Sequence, residues 1–136
     1  MLVASDEDGN PTLAWAGGTG WFHTTLEVSL RRIDGEVRGW GAIGPGVHFD
    51  LGRLDLDLDL LAGHVMDEPA EYGIFTLRAL ATVPITRKVA LVAGPTLNAL
   101  GGKDWAAAEE LVGPWGELTS IGGRPVWLGL QAGIRL

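Results

Sequence analysis

The sequence predicts an all-β fold, an antiparallel up-and-down β-barrel of about eight strands formed by residues 1–136 as a single domain. Two observations predict it. Apolar residues recur with a period of two over most of the chain, and the connections between the alternating segments are short and long by turns. Twenty-one Gly, seven Pro and β-branched residues spread throughout argue against a helical bundle.

The elements follow in order. A first hairpin covers residues 2–16 and closes around Glu7-Asp8-Gly9-Asn10. Over residues 20–33, Phe22, Leu26, Val28 and Leu30 alternate with His23, Thr25, Glu27, Ser29 and Arg31. A Gly-rich stretch from Val37 ends in the alternating Val47, His48, Phe49, Asp50 and Leu51. The plainest strand sets Leu54, Leu56, Leu58 and Leu60 on one face and Asp55, Asp57 and Asp59 on the other. Next, Phe75, Leu77, Ala79, Ala81 and Val83 oppose Thr76, Arg78, Leu80 and Thr82, and Val89, Leu91 and Ala93 oppose Ala90, Val92 and Gly94. The last strand sets Leu128, Leu130, Ala132, Ile134 and Leu136 against Trp127, Gly129, Gln131, Gly133 and Arg135.

Read back from Leu136, the connections are 101–125, long; Thr86-Arg87-Lys88, tight; 66–73, long; and Gly52-Arg53, tight. Asp34-Gly35-Glu36 then falls on the long-loop side and Gly17-Gly18-Thr19 on the short-turn side, so eight strands bring both termini to the short-turn end. Within the last connection, residues 104–112 read as a short helix, with Asp104 as N-cap and Gly113-Pro114 as its stop.

Composition removes several function classes. A net charge of -7 opposes nucleic-acid binding, which needs a basic face. Having no cysteine, the chain has no disulfide, thiolate zinc site or Cys nucleophile. Apolar runs such as 89–93 fall far short of the roughly 20 residues of a spanning helix, so membrane insertion would use strands.

Alternation alone does not say which face meets solvent. Three features point to a lipid-facing exterior and a charge-filled lumen. The polar faces carry both signs, with Glu27, Asp50, Asp55, Asp57 and Asp59 against Arg31, Arg78 and Arg135, as paired side chains in a narrow interior require. Glycines on those faces suit a crowded lumen. The chain also stops on the last strand residue. His48 is expected inside with Asp50, and the lipid-facing set is Leu26, Val28, Leu54, Leu56, Leu58, Phe75, Leu77, Leu128, Leu130 and Ile134.

The end of the chain, Val126-Trp-Leu-Gly-Leu-Gln-Ala-Gly-Ile-Arg-Leu136, resembles the terminal strand of bacterial outer-membrane β-barrel proteins. Over residues 20–136 the pattern is similar to the small OmpA-like and OmpX-like eight-stranded barrels. That family usually ends in Phe or Trp, where this chain has Leu136. The resemblance implies a transmembrane β-barrel in the outer membrane of a Gram-negative cell envelope. It implies outer-membrane lipid and the barrel-assembly machinery as partners, with Trp127, Gly129, Gly133 and Leu136 in the assembly-signal strand. Residues 1–10 lack the basic and apolar regions of a secretory signal, so the reading expects a leader before Met1, a fragment, or a chain that is not exported. The first two strands are expected to run about four to six residues, against the roughly 9 to 11 of a tilted membrane strand. Should they fail to form, six strands remain and the chain is a fragment of a larger barrel.

Few residues suggest chemistry. Asp55, Asp57 and Asp59 invite a cation, but positions two apart on a strand lie about 6.6 to 6.8 Å apart, so pairing with Arg78 is the stronger expectation and no metal or cofactor is expected. His23, His48 and His64 are the acid–base candidates, and Ser29 shares a face with His23 without forming a nucleophile motif. The Gly-rich residues 39–46 lack a phosphate-loop context and read as a bend or bulge. Trp21, Trp40 and Trp127 are expected at the lipid–water boundary, with Trp105 and Trp115 in the outer loop. The functional expectation is a non-catalytic barrel with a structural or surface-interaction role, any recognition lying in loops 66–73 and 101–125. The alternatives are a soluble lipocalin-like barrel for a small apolar ligand and, more weakly, an outer-membrane lipid hydrolase. A porin-like pore is opposed by the strand number, since eight strands leave room only for side chains.

Overall fold

The computed structural model describes residues 1–6, 8–33, 36–65, 73–101, 111 and 118–136. Nine antiparallel strands appear among them: β1 (Leu2–Asp6), β2 (Pro11–Thr19), β3 (Phe22–Ile33), β4 (Glu36–Asp50), β5 (Asp55–Val65), β6 (Gly73–Pro84), β7 (Ala90–Leu100), β8 (Leu118–Ile121) and β9 (Arg124–Arg135). Strands β1 to β7 pair in sequence, β7 pairs with β9, and β9 pairs back onto β1 from Leu2↔Arg135 to Asp6↔Gln131. Eight strands thus close a barrel, and β8 is an additional strand on the β9 edge beyond the end of β1.

The turns show why the chain reverses where it does. In the first hairpin, Asp6 Oδ1 accepts the N–H groups of Asp8 and Asn10 at 3.0 and 2.9 Å, holding the connection that the sequence places there. Thr86 Oγ1 likewise accepts the N–H groups of Lys88 and Val89 between β6 and β7. The β2–β3 reversal lies at Gly20-Trp21, just past the Gly17-Gly18-Thr19 expected from sequence, because β2 runs through those three residues for nine in all. Alternation along the sequence does not predict strand β8. Its signal is Gly122-Gly123, whose φ values of 62° and 79° form the two-residue reversal between Ile121 and Arg124.

Residues 39–46 lie inside the continuous strand β4, which corrects the expectation of a bulge there. Pairing with β5 runs from Trp40↔Val65 to Ile43↔Ala62, lapses at Gly44 and Pro45, and resumes at Gly46↔Asp59 without a slip of register. Pro45 has no N–H to give the ladder, which accounts for a gap rather than an extra residue. The helix expected over 104–112 lies outside the described residues except for Leu111.

The closing seam explains one glycine. A Cβ on Gly133 would sit 2.1 Å from the Val3 carbonyl oxygen and 2.5 Å from Ala4 Cα, so β1 approaches β9 only because that position has no side chain. Gly133→Val is expected to lower stability in a chemical-denaturation experiment by about 1–3 kcal/mol, the range for overpacking a close contact. An unchanged midpoint would show that β1 does not close the barrel as described.

Candidate functional site

Side-chain period two sorts every strand into an inner and an outer face. Outside stand Leu13, Leu26, Val28, Phe75, Leu77, Leu91, Leu97, Leu128, Leu130 and Ile134, all among the exposed large apolar residues. Leu56 and Leu58 share that direction but are half-buried, and Leu54 falls in the β4–β5 turn rather than in a strand. Inside stand Glu27, Asp57, Asp59 and Arg78, each no more than 5% exposed. Every strand from β2 to β7, and β9, contributes to both faces.

The interior is layered. Trp40, Ile74, Leu100 and Trp127 form an apolar cluster where the long connections join the strands, with Leu111 and Leu118 packed against it. This corrects the placement of Trp40 and Trp127 at a lipid–water boundary, since both are almost fully buried inside the barrel. Trp21 is 68% exposed at the short-turn end. Trp105 and Trp115 lie outside the described residues. A second apolar cluster, Leu2, Ala4, Ala14, Leu80 and Val92, occupies the half nearer the short turns.

Between these clusters lies an ionic layer centred on Arg78. Its Nε and Nη2 donate to Asp59 Oδ2 at 3.2 and 3.0 Å, while Nη1 donates to Glu27 and, at 3.0 Å, to Gln131 Oε1. Asp59 Oδ1 also meets His23 Nε2 at 2.6 Å and accepts Thr25 Oγ1 at 3.3 Å. One guanidinium therefore ties β3, β5, β6 and β9 across the lumen. Such satisfaction is what makes a buried charge tolerable.

A second network lies towards the short turns. Asp57 is held between His48 Nδ1 at 2.7 Å and Arg135 Nη1 at 2.9 Å, and Arg135 donates also to Thr82 Oγ1. Asp55 stands 4.0 Å from His48 Nε2. Asp50 departs from the expected lumen set: it is exposed, and its carboxylate accepts the Gly52 N–H in the β4–β5 turn. Arg31 lies in the other half, donating to Ser29 Oγ and standing 5.9 Å from the Trp40 ring centre. His64 is exposed near the end of β5, on the outer face.

Both His–Asp pairs border a cavity of about 300 Å³ at the short-turn end, lined also by Arg78, Arg135, Ala14, Ala16 and Gly18. The small side chains of β2 leave the space that His23 and His48 face. An ionised carboxylate can only accept, so the ring nitrogen facing it carries the hydrogen and the opposite nitrogen is left for another partner. That is the geometry of an oriented base, but Ser29 is bonded to Arg31 and stands six residues along β3 from His23, about 20 Å away. Arg78 also lines a cavity of about 40 Å³ in the other half, so its layer is the septum between the two. Among the described residues, no group of three or more His, Cys, Asp or Glu side chains is placed to hold a metal ion.

The sequence pattern identifies the Asp57, Asp59, Glu27, Arg78 and Arg135 faces. It does not reveal the partners Gln131, Thr25 and Thr82, which become legible only through strand register. The fold and site together define a closed eight-stranded antiparallel barrel with an ion-paired interior and an apolar exterior. No family model, curated protein or solved structure matches the chain.

Proposed function

We propose that this chain is an outer-membrane β-barrel of a Gram-negative cell envelope, non-catalytic, with a structural or surface-interaction role. The observation that carries the reading is the inversion of polarity. Charged groups fill the interior, while exposed Leu, Val, Ile and Phe side chains surround the outer wall. Soluble monomers rarely expose contiguous apolar patches beyond a few hundred Å², whereas a bilayer requires such a belt. Among the described residues no helix is long and apolar enough to cross a membrane, so strands would supply the span. The same polarity works against the lipocalin-like alternative, which needs apolar groups around its cavity.

The partners in this reading are outer-membrane lipid and the assembly machinery that would engage β9, with surface recognition in the connections 66–72 and 101–117. The Arg78 septum and the apolar cluster around Trp127 favour a plugged lumen over a pore. Expression with an export leader in a Gram-negative host, followed by density-gradient separation of the membranes, tests the localisation. The protein is expected in the outer-membrane fraction with heat-modifiable gel mobility. Recovery as a soluble periplasmic monomer would overturn the reading.

A further inference from the structure

The two ends of the barrel differ in charge. Its short-turn end is formed by residues 20–21, 51–54 and 85–89, and these contain Arg53, Arg87 and Lys88 with no acid. The connections at the other end, 7–10, 34–35, 66–72 and 101–117, contain ten of the seventeen acids of the chain and one basic residue, Lys103. The three cations are exposed, in turns that are neighbours because β4–β5 and β6–β7 flank the β5–β6 pair. Asp50 and Asp55 flank the β4–β5 turn, the first accepting the Gly52 N–H and the second standing 4.0 Å from His48 Nε2.

The same turns carry exposed apolar residues. Leu51 and Ile85 are 59% and 58% exposed, and Trp21, in the β2–β3 turn at the same end, is 68% exposed with its ring edge-on to Phe22. A turn whose flanks are apolar and whose tip is cationic matches the headgroup boundary of a bilayer, where the stem enters the acyl region and the charge reaches for phosphate. We infer that the short-turn end is a docking surface for anionic phospholipid headgroups, gripped by Arg53, Arg87 and Lys88 over Trp21, Leu51 and Ile85. This rests on the membrane reading and adds to it a headgroup class and a preferred end.

The test uses the full chain folded in phosphatidylcholine bilayers doped with spin-labelled phosphatidylglycerol or spin-labelled phosphatidylcholine. At low salt the motionally restricted fraction is expected to favour phosphatidylglycerol by roughly fivefold, the scale set by basic groups at an anionic surface. The preference should fade at high salt, where the Debye length falls to about 3 Å at 1 M. The variant R53Q/R87Q/K88Q should fold as before and lose most of the preference. Equal restriction of the two lipids, or a preference unchanged in the variant, overturns the inference while leaving the barrel in the membrane. A chain that stays out of the bilayers and folds in buffer overturns the membrane reading itself.

Discussion

Replacing Arg78 by Met is expected to cost roughly 3–5 kcal/mol, the penalty for leaving buried carboxylates without their cation. The side chain is 2% exposed and serves Asp59, Glu27 and Gln131 at once, so its loss strands two carboxylates in the barrel interior. A penalty of that size is a large part of the roughly 5–15 kcal/mol that holds an ordinary domain together. The combined variant R78M/E27Q/D59N removes all three charges and leaves groups that hydrogen-bond as neutrals. It should recover much of the loss, because the penalty belongs to the unpaired charges rather than to the missing guanidinium. Urea midpoints of the three proteins in one detergent check this. A single variant as stable as the parent would show that the septum carries no weight in the fold.

Leu77→Arg is the second large effect, and its size depends on what surrounds the barrel. Leu77 is 51% exposed on the outer face of β6, midway between the strand's two ends. In water such a site tolerates arginine at little cost. Facing the middle of a bilayer, arginine costs roughly 2–4 kcal/mol, less near the boundaries. Folding yield in vesicles should therefore drop sharply for Leu77→Arg, while Arg87→Gln, beyond the end of the strand, should leave it nearly unchanged. Equal yields for parent and Leu77→Arg would remove Leu77 from the lipid-facing wall.

Strict alternation made much of this legible. The Leu54 to Leu60 ladder and the Phe75 to Val83 ladder sort residues into two opposite faces without reference to partners, and the mixed charges on the polar face mark that face as the interior. The Asp6 hairpin was likewise legible from its Asp and Gly residues. What stayed hidden depends on contacts distant in sequence. Trp40 and Trp127 have the parity of inward residues, yet aromatic residues in a barrel pattern also fit a boundary, and only the cluster with Ile74 and Leu100 places them inside. Asp50 has inward parity too, but it sits at the last position of β4, where the local Gly52 N–H captures it. Strand β8 is four residues long, too short for a period to register, and the diglycine was its one signal.

In the proposed membrane barrel the apolar face meets lipid and the charged face is enclosed. The measurement that tests it most directly is refolding from urea with and without detergent micelles, read by circular dichroism and by gel mobility before and after heating. A β-sheet spectrum and a heat-sensitive mobility shift are expected only with micelles. A monomer that reaches the same β-sheet spectrum in plain buffer would contradict it, because the exposed Leu26, Leu77, Leu91 and Leu128 would then stand in water.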